Sequence, residues 1–248
     1  MGINIYGEAN LEKKEPVRNA ILMAAGMGTR LRPLTENTPK PLLRVGTRSL
    51  IETVLDGLVS AGVEKLYVVT GYLGEQFQIL RKRYEGLTLI DNPDYARVNN
   101  ISSVYYAREI LRSGDCYICE ADLYLKRPEI LSKKPDCSCY FGTLRGGYTD
   151  DWVFDVGKDG YITRVGKGGS DQYNMIGLSY FTKADAMVLS DCIERMYEEA
   201  GYEELFWDEV VDRNLESLKL TIFPVEEGSI AEIDTCEEYE ALIQKELS

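Results

Sequence analysis

Short apolar runs alternate along this chain with stretches in which apolar residues recur every three or four positions. Ala20 to Met23, Lys65 to Thr70 and Leu87 to Ile90 read as buried strands. Between them, Leu50, Ile51, Val54, Leu55 and Leu58 mark one face of a helix over Ser49 to Ala61, and Phe77, Leu80 and Tyr84 mark a second. The order β-α-β-α-β implies a parallel sheet with helices on both faces. A helix is expected from Asn99 to Arg112, and strands at Tyr117 to Cys119 and Ser138 to Leu144. Asp151 to Val156 and Tyr161 to Val165 flank Gly157-Lys158-Asp159-Gly160 as a hairpin. Strands follow at Tyr173 to Phe181 and Leu218 to Phe223, with helices at 184–199, 203–215 and 237–247. The expectation is one Rossmann-like, three-layer α/β domain over 19–248 with a mostly parallel central sheet and a small β-hairpin insertion. Residues 1–18 are polar and read as a leader or linker.

The first strand runs into Ala24-Ala25-Gly26-Met27-Gly28-Thr29-Arg30. Small residues and two glycines let the backbone approach a ligand and turn its N–H groups inward. Arg30 offers a fork of donors to phosphate oxygens, and Lys40, behind Pro33 and Pro39, adds a second cation. Together they suit a polyphosphate. The loop is not a P-loop, because it lacks the terminal Gly-Lys-Ser/Thr. It is not the dinucleotide fingerprint either, because Leu31 stands where a third small residue belongs.

Charge sharpens this. Among 248 residues the net charge is −13, with no long basic run, which argues against nucleic acid as a partner. An acidic protein that binds polyphosphate must concentrate positive charge locally or recruit a metal ion. There is no histidine, so His-based triads, zinc sites and general bases are excluded. A phosphate nucleophile fits, being already ionised near neutral pH. Of the six cysteines, Cys116 and Cys119 lie three apart on a strand and face opposite ways, while Cys137 and Cys139 could share a face. Free thiols and a cytoplasmic location are expected, with no membrane-length apolar run.

Three further stretches carry candidate chemistry. Asn99-Asn100 and Ser102-Ser103 open a helix, where Asn and Ser serve as caps. Asn100 and Ser103 could equally read a base. Asp122 follows the strand 117–119 at its C-terminal end, where ligands of open α/β sheets bind, and is a Mg²⁺ ligand candidate. Asp234 precedes the last helix, where it could be a cap. Gly177, inside a strand, signals a close approach.

The stretch from Ala20 to Leu43 resembles the signature of nucleotidyltransferases that join an NTP to a phosphorylated small molecule. With VTGYLGEQF, NNISSVYY, EADLYL, LFWDEVV and IAEIDT, the chain looks most like the bacterial phosphocholine cytidylyltransferases, within the sugar-phosphate nucleotidyltransferase superfamily of GT-A-like fold. That resemblance implies CTP and phosphocholine as substrates, CDP-choline and pyrophosphate as products, and Mg²⁺ held by Asp122 and Asp234. It implies nucleotide contacts from residues 24–30 (Met27 among them), Lys40, Tyr72, Asn100 and Ser103, with Arg30, Lys40 and Asp122 stabilising charge. A trimethylammonium is held by aromatic faces with nearby carboxylates, so Trp152, Glu204, Phe206 and Trp207 are the acceptor-binding candidates, with Tyr148 and Tyr173 able to join them. A sugar-1-phosphate nucleotidyltransferase and a non-catalytic nucleotide sensor are the rival readings. The base and the oligomeric state stay open.

Overall fold

The computed structural model describes residues 15–247. The apolar runs form strands β1 (Asn19–Ala24), β4 (Lys65–Thr70), β5 (Thr88–Asp91) and β6 (Cys116–Glu120), with a two-residue ribbon of β2 (Arg44–Val45) and β3 (Arg48–Ser49) between the first two. Then come β7 (Leu123–Leu125), the long β8 (Cys139–Val156) and β9 (Ile162–Phe181), β10 (Thr221–Pro224) and β11 (Ile230–Glu232). The seven-stranded sheet has the order β10-β8-β9-β6-β1-β4-β5. β1 pairs in parallel with β4 and β6, and β4 with β5, while β9 runs antiparallel to both β6 and β8.

Side-chain alternation sorts the sheet into two cores. Ala20, Leu22 and Ala24 of β1 face one side, with Ile51, Val54, Leu55 and Leu58 of helix α1 (Leu50–Ser60). Ile21 faces the other, with Leu189 and Ile193 of α5 (Lys183–Met196) and Val210 and Val211 of α6 (Trp207–Asp212). Cys119 belongs to the first core and Cys116 to the second, the opposite facing that their spacing requires. Cys137 is exposed and Cys139 buried. α1 begins where Glu52 accepts a hydrogen bond from the Ser49 N–H at 2.7 Å, half of a capping box. α2 (Gln78–Arg83) covers the first core through Leu80.

Three differences from the sequence expectation have physical causes. The helix expected over 99–112 is two helices, α3 (Ile101–Tyr106) and α4 (Arg108–Ser113), broken at the buried Ala107. The break lets α4 lie along α5, where Arg112 pairs with Asp191 at 2.8 Å and Glu194 at 2.7 Å. The helix expected over 203–215 starts only at Trp207, because Leu205 and Phe206 are extended. Glu209 then caps the Phe206 N–H at 2.8 Å, and Asp212 accepts the Val165 N–H of β9 at 2.7 Å. Of the polar leader, residues 1–14 lie outside the described residues, but Val17 is buried and its carbonyl accepts the Glu64 N–H, while Arg18 accepts the Lys65 N–H at 3.0 Å. The sheet's hydrogen bonding thus begins before Asn19.

The hairpin is larger than the expected turn. β8 and β9 stay paired out to Val156 and Ile162, and the tip folds back so that Val153 and Phe154 pair a second time, with Asn174 and Tyr173. At Asn174, β9 has Thr143 on one side and Val153 on the other. The fold-back brings Asp150, Asp151 and Trp152 to the mouth of a cleft beyond the C-terminal ends of β1 and β6. No helix among the described residues is long and apolar enough to cross a membrane.

Candidate active site

The cleft has a volume of about 640 Å³ and one wall made by the loop after β1. Ala24, Ala25, Gly26, Gly28, Thr29 and Arg30 line it, whereas Met27 does not and is exposed. Gly28 has φ 57°, and a Cβ there would lie 3.1 Å from Lys40 Cβ and 3.2 Å from Thr35 Cγ2. Both the left-handed backbone and the close approach of Lys40 therefore require glycine. Leu31 anchors the loop from behind, in a small core with Leu50, Tyr124, Ile233 and Leu242, the last from the C-terminal helix α7 (Cys236–Leu247). Tyr72 stands behind the wall rather than in it. Its hydroxyl donates to the carbonyls of Thr35 and Glu36, each at 3.0 Å, so it shapes the segment leading to Lys40.

Asp122 and Asp234 converge, although 112 positions separate them in sequence. The cause is the short antiparallel pair β7–β11, missed in the sequence, which sets Leu123 opposite Glu232 and so brings the residues beside them together. Lys40 Nζ lies between the carboxylates, 2.6 Å from Asp122 Oδ2 and 3.2 Å from Asp234 Oδ1, with its side chain only 8% exposed. Burial opposes its charge, but the two carboxylates outweigh this and raise its pKa above the ordinary lysine value. Arg30 Nη2 pairs with Asp234 Oδ1 at 2.7 Å while its side chain stays 72% exposed, free to swing towards a ligand.

More acid stands behind this pair than the sequence reading recognised. Glu120 and Glu232 also line the cleft. Glu232 meets solvent at the cleft mouth, yet the protein around its carboxyl, followed by Asp234 and Asp122, pushes it up to about 7. Desolvation and then Asp122 raise Glu120 as well. Gly177, at φ 73°, is the close approach its sequence position signals: a Cβ there would meet Glu120 Oε2 at 2.8 Å. Among the described residues that line the cleft, Glu120, Asp122, Asp150, Asp151, Glu232 and Asp234 are met by three cations, Arg30, Lys40 and Lys167. Among the described residues no group of three or more His, Cys, Asp or Glu side chains has the arrangement of a complete metal site.

The opposite wall comes from α3 and the segment before it. Asn100 and Ser103 both line the cleft. Ser103 is buried and accepts from Asn92 Nδ2 at 3.3 Å, while Ser102 accepts from the same nitrogen at 2.9 Å. Asn92, at the end of β5, was not singled out in the sequence. It now organises the wall, and a polar residue at a strand's C-terminal end was the available signal.

At the far end, Trp152 and Phe206 line the cleft with ring centroids 5.4 Å apart at 67°. Lys167 Nζ lies 4.8 Å from the Phe206 centroid and 5.6 Å from that of Trp152. Lys167 was also missed; it is the cross-strand partner of Trp152 in the hairpin and reaches the cleft with it. The other acceptor candidates are elsewhere. Trp207 is 3% exposed and packs in the core, 5.7 Å from Tyr140 and 6.1 Å from Phe181. The carbonyl of Glu204 accepts from Asn99 Nδ2 at 3.2 Å, but Glu204 does not line the cleft. Tyr148 is 70% exposed outside it, and Tyr173 packs against the second core.

The chain is similar to known enzymes over most of its length. A family model described as Nucleotidyl transferase matches residues 19–127. The 2-aminoethylphosphonate cytidylyltransferase of Lancefieldella rimae is 51% identical over 90% of this chain and 91% of its own length. The choline-phosphate cytidylyltransferase of Streptococcus pneumoniae is 34% identical over 90% of this chain and 96% of its own. A solved structure of CTP:phosphocholine cytidylyltransferase from Streptococcus pneumoniae matches with a TM-score of 0.83 over 92% of this chain and 99% of that one. The chain therefore belongs to the nucleotidyltransferase family, as one of its cytidylyltransferases. It is an enzyme of the cytidylyltransferase type.

Proposed function

We propose that the protein transfers the cytidylyl group of CTP to 2-aminoethylphosphonate, releasing pyrophosphate. The observation that carries this choice over phosphocholine is the makeup of the acceptor end. Trp152 and Phe206 do not form a bare aromatic box: the Lys167 ammonium already lies against both rings, and Asp150 and Asp151 line the same end. A quaternary ammonium has no N–H to give those carboxylates and draws mainly on ring faces. A primary ammonium can donate to carboxylates, and such charge-assisted bonds are the strong ones. Lys167 suits the phosphonate at the other end of the same short zwitterion. The 51% identity to a 2-aminoethylphosphonate enzyme supports the same reading.

In the reaction, a phosphonate oxygen attacks the α-phosphorus of CTP in line. The bond from the α-phosphorus to the bridging β-oxygen breaks, and its electrons leave with pyrophosphate. The nucleophile is already ionised and needs no base, which suits a chain without histidine. The N–H groups of residues 26–30, with Arg30 and Lys40, hold the triphosphate and meet charge developing on the leaving group. Asn100 and Ser103 border the base. Asp122 and Asp234 converge on a single cation, the Lys40 ammonium, and so present the hard oxygen donors that Mg²⁺ takes from protein beside substrate phosphates. Bound there, Mg²⁺ would neutralise phosphate charge in a cleft whose carboxylates outnumber its cations.

The test is pyrophosphate release with CTP or UTP against 2-aminoethylphosphonate, phosphoethanolamine, phosphocholine and glucose-1-phosphate, with and without Mg²⁺. The highest kcat/KM is expected for CTP with 2-aminoethylphosphonate, with activity lost in EDTA. A higher value for phosphocholine would return the acceptor to the choline branch, and one for glucose-1-phosphate would remove the zwitterion reading.

A further inference from the structure

We infer that Asn100 is a positioning residue that couples occupancy of the nucleotide wall to the order of the acceptor wall. Three hydrogen bonds tie residues 99–100 to the segment carrying Phe206. The Asn99 N–H donates to the Glu203 carbonyl at 2.8 Å, Asn99 Nδ2 donates to the Glu204 carbonyl at 3.2 Å, and the Trp207 N–H donates to Asn100 Oδ1 at 2.9 Å. Outside this clamp, the Phe206 N–H is capped by Glu209 and Trp207 is locked in the core. The one cleft-lining side chain of the segment, Phe206, thus sits between fixed neighbours on one flank and the Asn99–Asn100 clamp on the other.

The last of these bonds also fixes the orientation of the Asn100 amide. A backbone N–H can only donate, so Oδ1 must be the end turned towards Trp207. Nδ2 is then the end offered to the cleft, where a pyrimidine presents carbonyl and ring-nitrogen acceptors. One planar amide with both ends engaged has little rotamer freedom left. A base held by Nδ2 therefore strengthens the bond to Trp207 and steadies Phe206 before the acceptor arrives. This rests on the nucleotide reading of the cleft but not on which acceptor is used. By linkage, acceptor binding must tighten nucleotide binding by the same factor.

Hydrogen exchange with mass spectrometry on the full chain, with and without CTP and Mg²⁺ and with no acceptor present, tests it. In the wild type, CTP should slow exchange both in the loop 25–31 and in the segment 203–207, the latter by about fivefold, the protection that one strengthened hydrogen bond confers. Asn100→Asp keeps an oxygen for the Trp207 N–H but removes the donor facing the cleft. It should retain ligand-free protection of 203–207 and CTP protection of 25–31, and lose the CTP-dependent protection of 203–207. Asn100→Ala should lose that increment too, from a faster baseline. A merely structural role would leave the increment intact. Survival of the increment in Asn100→Asp overturns the coupling, as does protection of 25–31 alone in the wild type. Protection of neither segment overturns the nucleotide reading beneath it.

Discussion

The two ends of the cleft are built differently. At the proposed nucleotide end, the side chains sit on the rim of the central sheet and are tied into the fold: Lys40 is buried between two half-buried aspartates, Ser103 lies under the buried Asn92, and Leu31 sits in its own small core. At the acceptor end, Asp150, Asp151, Trp152 and Lys167 all ride on one hairpin, much of it exposed. The family model reaches residue 127 and stops before that hairpin begins. The two cytidylyltransferases that this chain resembles over most of its length are named for different acceptors. On the proposed reading, the comparison teaches that the scaffold would hold CTP through the sheet rim while the choice of acceptor falls to a hairpin that lies outside the matched family segment.

Substitutions can break that division of labour. The largest effect is expected at Trp207, which lies in the core behind the acceptor end. Trp207→Ala should destabilise the protein by ~3–5 kcal/mol, the usual cost of removing a large buried aromatic, and denaturant unfolding would measure it. If it instead unfolds like wild type and raises only the acceptor KM, Trp207 belongs to the site after all. Next comes Asp122→Ala, which should lower kcat by at least ~10²-fold, the weight of one charge-stabilising element. Equal turnover in variant and wild type would remove Asp122 from the chemistry.

A third effect is electrostatic. Asp208 follows Trp207, is buried, and accepts from Tyr140 Oη at 2.9 Å. Desolvation pushes its carboxyl up to about 7. Its pKa in the fold lies above the unfolded value, so the fold holds a proton that the unfolded chain releases. Stability from this group is complete below the unfolded pKa near 3.8 and is lost as pH rises towards 7. Between pH 5 and 7 the loss should be about 2 kcal/mol, given ~1.4 kcal/mol per pH unit. Asp208→Asn keeps an oxygen for Tyr140 and should flatten the profile; an unchanged slope would rule Asp208 out as its source. The smallest effect sharpens the comparison most. Trp152→Ala removes a ring that Lys167 lies against and should raise the acceptor KM by ~2- to 30-fold, the range of the cation–π contact that holds this lysine in place, and leave the KM for CTP nearly unchanged. A matching rise for CTP would show that the two ends are not separable.

What was legible in the sequence follows the same line. The loop's place at the cleft was readable because its parts are contiguous: a strand, two glycines and an arginine within one stretch. The place of Asp122 at the cleft was readable from its position after a strand. Its approach to Asp234 depends on β7 and β11, three residues each, too short to show a period. Lys167 pairs with Trp152 across the hairpin, but only the fold-back of that hairpin carries the pair to the cleft, and the sequence does not show the fold-back. Trp207 reads two ways in sequence: acidic neighbours suit a cation site, while Trp207, Val210 and Val211 at i, i+3 and i+4 make the pattern of a buried helix face, and the fold takes the second. Tyr72 shows a further limit, since adjacency to a loop does not tell which side of it a side chain supports.

The order of the central sheet has one more consequence, for how copies of this protein meet in solution. An open sheet ends in two strands with unpaired backbone groups, and long flat edges invite other chains to extend them. Here both outer strands, β5 and β10, are four residues long, β10 closes on Pro224, and β5 closes on Asp91. The longest strands, β8 and β9, lie inside the sheet and spend their hydrogen bonds on each other. Among the described residues, the two outer strands of this sheet thus offer neighbours short, interrupted margins, a guard against edge-to-edge aggregation at high concentration.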